Sequence, residues 1–421
     1  MEQLLHYVWK HKIFPLAPLQ TAEGLPIEVI DPGLPNANSG PDFFNAKIRI
    51  GGTLWVGNVE IHVRSSDWLR HGHNLDPAYD SVILHVTSDI DCTLARTNGE
   101  PIPQIELHCP DSLRKNYDEL MRTEHYPPCY KLISKLPKLS LHSWLNALQA
   151  ERFRAKSSQI IDICRKVNND WERALFISLS RSFGFGVNSD AFERWAKTVP
   201  LKAVGKHRDS LLQIEAIFFG KAGLVKAECS DDYSLRLAKE YDYLSLKLSI
   251  PSPQKCGWRF LRLRPTNFPH IRIAQLASLC HNTEGIFSKV LEAASLEDCR
   301  RLFTVSASDY WTTHYSFGKQ SAPRPKQLSR QSVDSIIINT VVPVLYAYSA
   351  HKLDQRLSVR AESLLEAMPP ENNLITRIWK QCGLEAEHAG DSQALIELKK
   401  NYCDTHKCLF CRIGYEYLKK T

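Results

Sequence analysis

The hydrophobic period of this chain changes once, near residue 130, and that change limits the folds open to it. Before it, apolar residues alternate in short runs. "NAKIRI" and "TLWVGNVEIHV" flank Gly51-Gly52, and "PIEVI", "SVILHVT" and "PIPQIELHC" read as further strands. An amphipathic stretch, "EQLLHYVWKHKI", precedes them with Leu4, Leu5, Val8 and Trp9 at helical spacing. After the change, segments such as "SLHSWLNALQAERFRAKSSQIIDICRKV", "DWERALFISLSRSFG" and "IRIAQLASLCHNTEGIFSKVLEA" carry a helical period. Strands first and helices afterwards give an α/β N-terminal domain with a mixed sheet, residues 1–128. A large all-α region, residues 129–421, follows it. The basic, proline-bearing connector "GKQSAPRPKQLSRQS" marks a sub-boundary near 320–332.

Composition adds mainly exclusions. With 43% hydrophobic and 24% charged residues in 421, the chain is neither fibrous nor disordered. No run approaches about 18 apolar residues, so no membrane-spanning helix and no membrane partner are expected. The N-terminus lacks the apolar core of a signal peptide, which makes the cytoplasm the expected compartment. A net charge of +7 is compatible with a polyanionic partner. Twelve cysteines in a reducing compartment do not imply a disulfide framework, and eight scattered ones read as buried small hydrophobes.

The polar residues of the hairpin need an explanation. Glu60 and His62 share one face of their strand, while Val59, Ile61 and Val63 take the other. Asp42 joins them only in one register. A two-residue Gly51-Gly52 loop pairs Ile50 with Thr53 and sets Asp42 opposite Ile61. A three-residue loop pairs Ile50 with Leu54 and sets Asp42 opposite His62. The second keeps the polar and apolar groups apart and is the expected register. Two converging carboxylates repel unless a cation lies between them, and Mg²⁺ suits hard oxygen ligands. A neighbouring imidazole can then deprotonate a metal-bound water.

Pro41-Asp42 followed by Glu60-x-His62, with a helix and strand before and a strand after, resembles the core of PD-(D/E)XK nucleases. The resemblance implies a restriction-endonuclease-like core with Asp42 and Glu60 as ligands of a catalytic Mg²⁺ or Mn²⁺. It also implies a metal-dependent hydrolase acting on DNA or RNA phosphodiesters. His62 stands where the superfamily has lysine. That departure leaves a rival, a noncatalytic nucleic-acid-binding or scaffold protein with a degenerate nuclease fold. Over nearly its full length the chain is similar to an uncharacterised bacterial family known only as a domain of unknown function. "NSGPDFFNAKI", "GNVEIHVRSSDWLRHGH", "YDSVILHV", "RPTNFPHIRIAQLA" and "YCDTHKCLFCRIG" carry that similarity, which implies no activity.

Three further groups stand out. His71, His73 and Tyr79 in "SDWLRHGHNLDPAYDSVILHV" are candidate substrate-binding residues. His71 and His73 also fit a metal-ligand pair if that stretch is extended. The plain alternative is a polar loop, with His85 a hydrogen-bonded residue of a buried strand. Arg264, among Arg259, Arg262, Arg272 and the aromatics of "WRFLRLRPTNFPHIRIAQLA", is a candidate for phosphate contact. The alternative there is a helix entry capped by Asn267, with the arginines paired to acids inside the helical region. Cys403, Cys408 and Cys411 form C-x4-C-x2-C, a spacing that suits Zn²⁺ or an iron–sulfur cluster. Cys382 is the candidate fourth ligand, with His388 and His406 behind it. Unliganded cysteines at a helix start are the plain alternative.

Overall fold

The alternating residues assemble into one seven-stranded sheet in the computed structural model, which describes residues 1–15, 17–36, 38–225 and 231–419. Helix α1 (Glu2–Lys10) comes first and buries Leu4, Leu5, Val8 and Trp9. The strands are β1 (Leu19–Gln20), β2 (Pro26–Asp31), β3 (Leu34–Pro35), β4 (Phe43–Ile50) and β5 (Thr53–Arg64). A short helix α2 (Ser66–Arg70) leads through two 3-10 turns to β6 (Val82–Asp89), and β7 (Gln104–Glu106) follows. The spatial order is β1-β2-β4-β5-β6-β7, with β3 paired to β4. β2, β4 and β5 run antiparallel, whereas β5, β6 and β7 are parallel. Parallel pairing needs a crossover connection, and α2 with its turns supplies it. Ile61, Leu84, Val86 and Ile105 are buried on one face, and Glu60, His62, His85, Thr87 and Gln104 are buried on the other. A second buried face made of polar groups is unusual, because each polar atom there needs a partner.

The hairpin corrects the expected register. Its loop has two residues: Ile50 pairs with Thr53, and Gly51 and Gly52 take φ of 55° and 88°. Continued unbroken, that register would set Asp42 opposite Ile61. A β-bulge prevents it. The pairing shifts between Ala46↔Gly57 and Phe43↔Val59, so one extra residue of β4 is absorbed. Asn45 occupies the bulge at φ 56°, and its backbone N–H donates to Asn58 Oδ1 at 3.2 Å. Beyond the bulge Asp42 is in step with Glu60. The convergence depends on a left-handed residue that asparagine tolerates well and a β-branched residue does not. Asn45→Val should therefore cost about 1–2 kcal/mol in urea unfolding, while Asn45→Gly should be nearly neutral.

The molecule divides into two compact units, residues 1–136 with 399–421, and residues 137–398. The boundary expected at 128/129 thus moves to 136/137. Helices α3 (Asp111–Arg122) and α4 (Tyr130–Ile133) belong to the first unit. The last residues, expected in the helical region, also belong to the first unit. The second unit is built of helices, including Lys138–Lys166, Leu211–Ala222 and Pro269–Asn282, around Phe176, Trp195, Phe218 and Ile273. Arg330–Lys352 is long and apolar enough to cross a membrane by length and composition, which the sequence reading did not anticipate, but 67% of its apolar window is buried. Ile336, Val341 and Leu345 of that run join the core of the second unit. A π-turn at Ile337–Val341 precedes Pro343, whose missing N–H would leave a regular helix short of one bond.

Candidate metal centre

β5 supplies two of the site's side chains because alternate residues share a face. Glu60 and His62 are almost fully buried. Asp42 reaches them through the bulged register. Its backbone N–H donates to Glu60 Oε2 at 3.0 Å, and its own Oδ2 accepts the N–H of Ile61 at 3.0 Å. The two carboxylates are tied through backbone and use different oxygens. Oε1 of Glu60 is left facing the histidines.

The segment after β5 brings those histidines. His71 closes α2 and His73 opens the next turn, so the stretch is not extended as the ligand-pair reading required. Gly72 at φ 75° turns the chain between them, and both rings still reach the same place. Oε1 of Glu60 lies 3.3 Å from His73 Nε2 and 3.7 Å from His62 Nε2. His62 Nε2 lies 3.1 Å from His71 Nδ1. One nitrogen from each of His62, His71 and His73 lies within 4.8 Å of the others. A tetrahedral ion with bonds of about 2.0–2.1 Å has ligand-to-ligand edges of roughly 3.3 Å. The measured separations bracket that length. The group that converges is the three imidazoles, with the Glu60 carboxylate against two of them, and such donors suit zinc, manganese or iron better than Mg²⁺.

The surroundings orient these groups. His62 Nδ1 lies 2.9 Å from His85 Nε2, so His85 fixes the ring whose Nε2 faces Glu60. His85 is fully buried. Its Nδ1 lacks a partner of good geometry among the described residues, although the Gln104 side chain lies beside the ring. Tyr79 stacks on His73 with ring centroids 3.8 Å apart. Trp68, buried beneath, meets His73, Tyr79 and His85 edge-on.

Burial and the neighbouring charge of Asp42 push the Glu60 carboxyl up to about 9. Burial and the surrounding imidazoles push His62 down to about 3, and burial takes His85 to about 4. A neutral imidazole with so little affinity for protons is a good ligand and a poor general base.

Two contributors were not singled out as functional from the sequence. His6, on α1, places Nε2 3.3 Å from Asp42 Oδ2. Burial alone would lower its affinity for a proton, but the adjacent Asp42 carboxylate outweighs burial and raises it. Glu2 lies one helical turn before His6, and its charge acts on both His6 and Glu60. The i, i+4 spacing of Glu2 and His6 was the available signal. His85 lies in the same histidine-bearing stretch as His71 and His73, with a hydrogen-bonded place in a buried strand as its plain reading; it is the partner of His62.

Arg264 is exposed and belongs to the second unit, where its carbonyl closes the turn before Asn267. The cluster described above is made by the first unit alone. Arg272 is a core residue: its guanidinium bonds Gln275 and Asn267 and lies 4.3 Å over the Phe185 ring. Asn267 accepts from Arg272 and does not cap the helix, which Phe268 and Pro269 begin. Of the eight scattered cysteines, Cys92 and Cys109 are only half-buried, and Cys229 lies outside the described residues.

A model of one protein family matches residues 2–374. The chain belongs to the family described as "Protein of unknown function (DUF2851)". The match spans the whole carboxylate and histidine cluster and ends before Cys382 and the three terminal cysteines. No curated protein and no solved structure matches the chain.

Proposed function

We propose that this protein is a metal-dependent nuclease-like hydrolase of DNA or RNA phosphodiesters. Its ion is of the Mn²⁺ or Zn²⁺ kind, held by Glu60, His62, His71 and His73 with Asp42 beside them. The observation that carries this reading is the convergence of three imidazole nitrogens within 4.8 Å of one another, with Glu60 Oε1 at 3.3 and 3.7 Å from two of them. The succession α1, β2, β4, β5, α2, β6, with the last two strands parallel, supports a restriction-endonuclease-like core. It is the order on which the resemblance to PD-(D/E)XK nucleases rests. When bound, such an ion polarises a phosphoryl oxygen and acidifies a water. His71 is exposed and keeps one side of the cage open to solvent and substrate. His6, which holds a proton more readily than a free imidazole, is placed to neutralise phosphate charge or protonate a leaving oxygen. Tyr79 holds the His73 ring flat against its own.

Purified protein, stripped with chelator and reloaded separately with Mn²⁺, Zn²⁺ or Mg²⁺, should cleave single- or double-stranded DNA or RNA. Mn²⁺ or Zn²⁺ should support cleavage better than Mg²⁺. A second reading is a noncatalytic, metal-stabilised nucleic-acid-binding protein. The low proton affinity of His62 in the lysine position favours it. Retarded mobility of nucleic acid with no cleavage under any of the three ions selects that second reading.

A further inference from the structure

We infer that Cys129, Cys403, Cys408 and Cys411 form a tetrathiolate metal site that fastens the end of the chain to the first unit. The site shares no residue with the histidine cluster and stands independently of the hydrolase reading.

The fold makes the juxtaposition. Residues 399–421 return to the unit formed by residues 1–136, so the C-x4-C-x2-C segment joins the part of the chain that holds Cys129. Cys129 directly precedes α4, and Cys411 directly precedes the C-terminal helix Arg412–Leu418. Cys403 closes a π-turn over Leu398–Cys403. The chain then reverses through His406 at φ 54°, with the Lys407 N–H donating to Tyr402 O at 2.8 Å. A 3-10 turn, Cys408–Phe410, follows, and the Cys411 N–H donates back to Cys408 O at 3.3 Å. This tight backbone turn is the form a C-x2-C pair takes in a thiolate knuckle. Gly414 is required beneath it, because a Cβ there would meet the Cys408 carbonyl oxygen at 2.1 Å.

All six pairings of the four thiols lie within reach of one another's charge, although no three of the sulfurs lie within 4.8 Å of one another, a spacing wider than the roughly 3.8 Å edges around a single tetrahedral zinc and open enough for a cluster. Cys129 responds to Cys411, Cys403 and Cys408, Cys403 to Cys411 and Cys408, and Cys408 to Cys411. None of the four is an exposed side chain. Lys399 Nζ lies 4.5 Å over the Tyr126 ring and Asn116 Nδ2 donates to Leu418 O at 3.3 Å, so the returning segment packs on the stretch that holds Cys129. Buried thiols are weak hydrogen-bonding groups, and four together gain little from one another unless a cation joins them. A divalent ion or an iron–sulfur cluster reverses the electrostatics by stabilising four thiolates at one point.

The fourth ligand expected from the sequence was Cys382. It belongs to the second unit, at the end of helix Leu374–Gln381, and burial alone raises its thiol. His388 is engaged as the N-cap of the helix Ala389–Glu397.

The test uses the full chain, purified anaerobically without chelator. Iron with acid-labile sulfide and a brown colour identifies a cluster. Stoichiometric zinc, replaceable by Co²⁺ with sulfur-to-cobalt charge-transfer absorption, identifies a single ion. Either result supports the site, and metal at the histidine cluster contributes to neither signal. Cys129→Ser should abolish the thiolate signal as fully as Cys403→Ser, while Cys382→Ser leaves it unchanged. Loss in Cys382→Ser with retention in Cys129→Ser overturns the inference. Should Cys129→Ser fail to fold, the native chain still decides. X-ray absorption on the cobalt or iron form should give sulfur neighbours at about 2.3 Å. Four thiols that react freely with a thiol reagent in the native protein, with no thiolate-bound metal, overturn it as well.

Discussion

Glu60→Gln should leave the protein folded, abolish metal binding at the histidine cluster, and abolish cleavage with it. The variant keeps the shape of Glu60 and removes the one anionic donor of the cage. It also changes the pH dependence of stability in a direction that can be worked out. In the metal-free native state Glu60 holds its proton up to about 9, against 4.5 in the unfolded chain. Between those values the native state binds more protons, so stability falls as pH rises. His62 and His85 act oppositely. Neutral in the native state down to about 3 and 4, and ordinary at 6.5 when unfolded, they lose stability as pH falls below 6.5. The two histidines outweigh Glu60 between 4.5 and 6.5, so these three groups together favour a stability maximum near pH 6.5. Urea midpoints with chelator present should therefore decline above that pH in the native protein. Glu60→Gln should decline less. Groups that do not feel the Glu60 charge titrate alike in both, so below the titration of Tyr79, which does feel it, the difference curve reports Glu60. Metal should restore the loss, and its uptake near neutral pH should release a proton. A Glu60→Gln protein that binds the ion as well as the native one removes Glu60 from the cage.

The parts of this structure that were legible in the sequence are those governed by local period. Alternation in Val59-Glu60-Ile61-His62-Val63 placed Glu60 and His62 on one face, and the sheet keeps them there. The change of period was read as a boundary at 128/129, and the compact units divide at 136/137 and again at 398/399. What failed was counting. Asp42 was expected across from His62 through a three-residue loop, and it lies in step with Glu60 through a two-residue loop and a bulge. Two errors of one residue each restored the face. Nothing in "DFFNAKIRI" announces the bulge except Asn45, an uncommon strand residue that tolerates a left-handed backbone. Relations between distant segments were not legible at all. Cys129 read as a small buried hydrophobe because its partners lie at the other end of the chain. His6 read as an ordinary position on an amphipathic helix because helical periodicity reports the apolar stripe and not what its border touches.

His62→Lys should bind no metal at the histidine cluster and should not cleave, although it restores the residue most common at this position in PD-(D/E)XK nucleases. If His62 stood in for lysine as a base, the exchange would preserve or improve activity. The geometry argues for a ligand instead. Nε2 of His62 lies 3.1 Å from His71 Nδ1 and 3.7 Å from Glu60 Oε1, and its Nδ1 is taken by His85. A lysine ammonium in this nearly closed space would meet Glu60 and occupy the position of the cation. That ion pair would draw the Glu60 proton off and keep the protein folded without metal. Affinity should fall by about 100-fold or more, beyond the range for losing a group that only orients a ligand. His62→Ala should lose metal binding too, whereas loss of a base alone would leave binding intact and slow cleavage by roughly 10²–10⁴-fold. Metal titration by calorimetry on both variants, with cleavage measured at saturating Mn²⁺, separates the two roles. Saturable metal binding and surviving activity in His62→Lys would return His62 to the role of base and leave Asp42 and Glu60 as the metal's protein ligands.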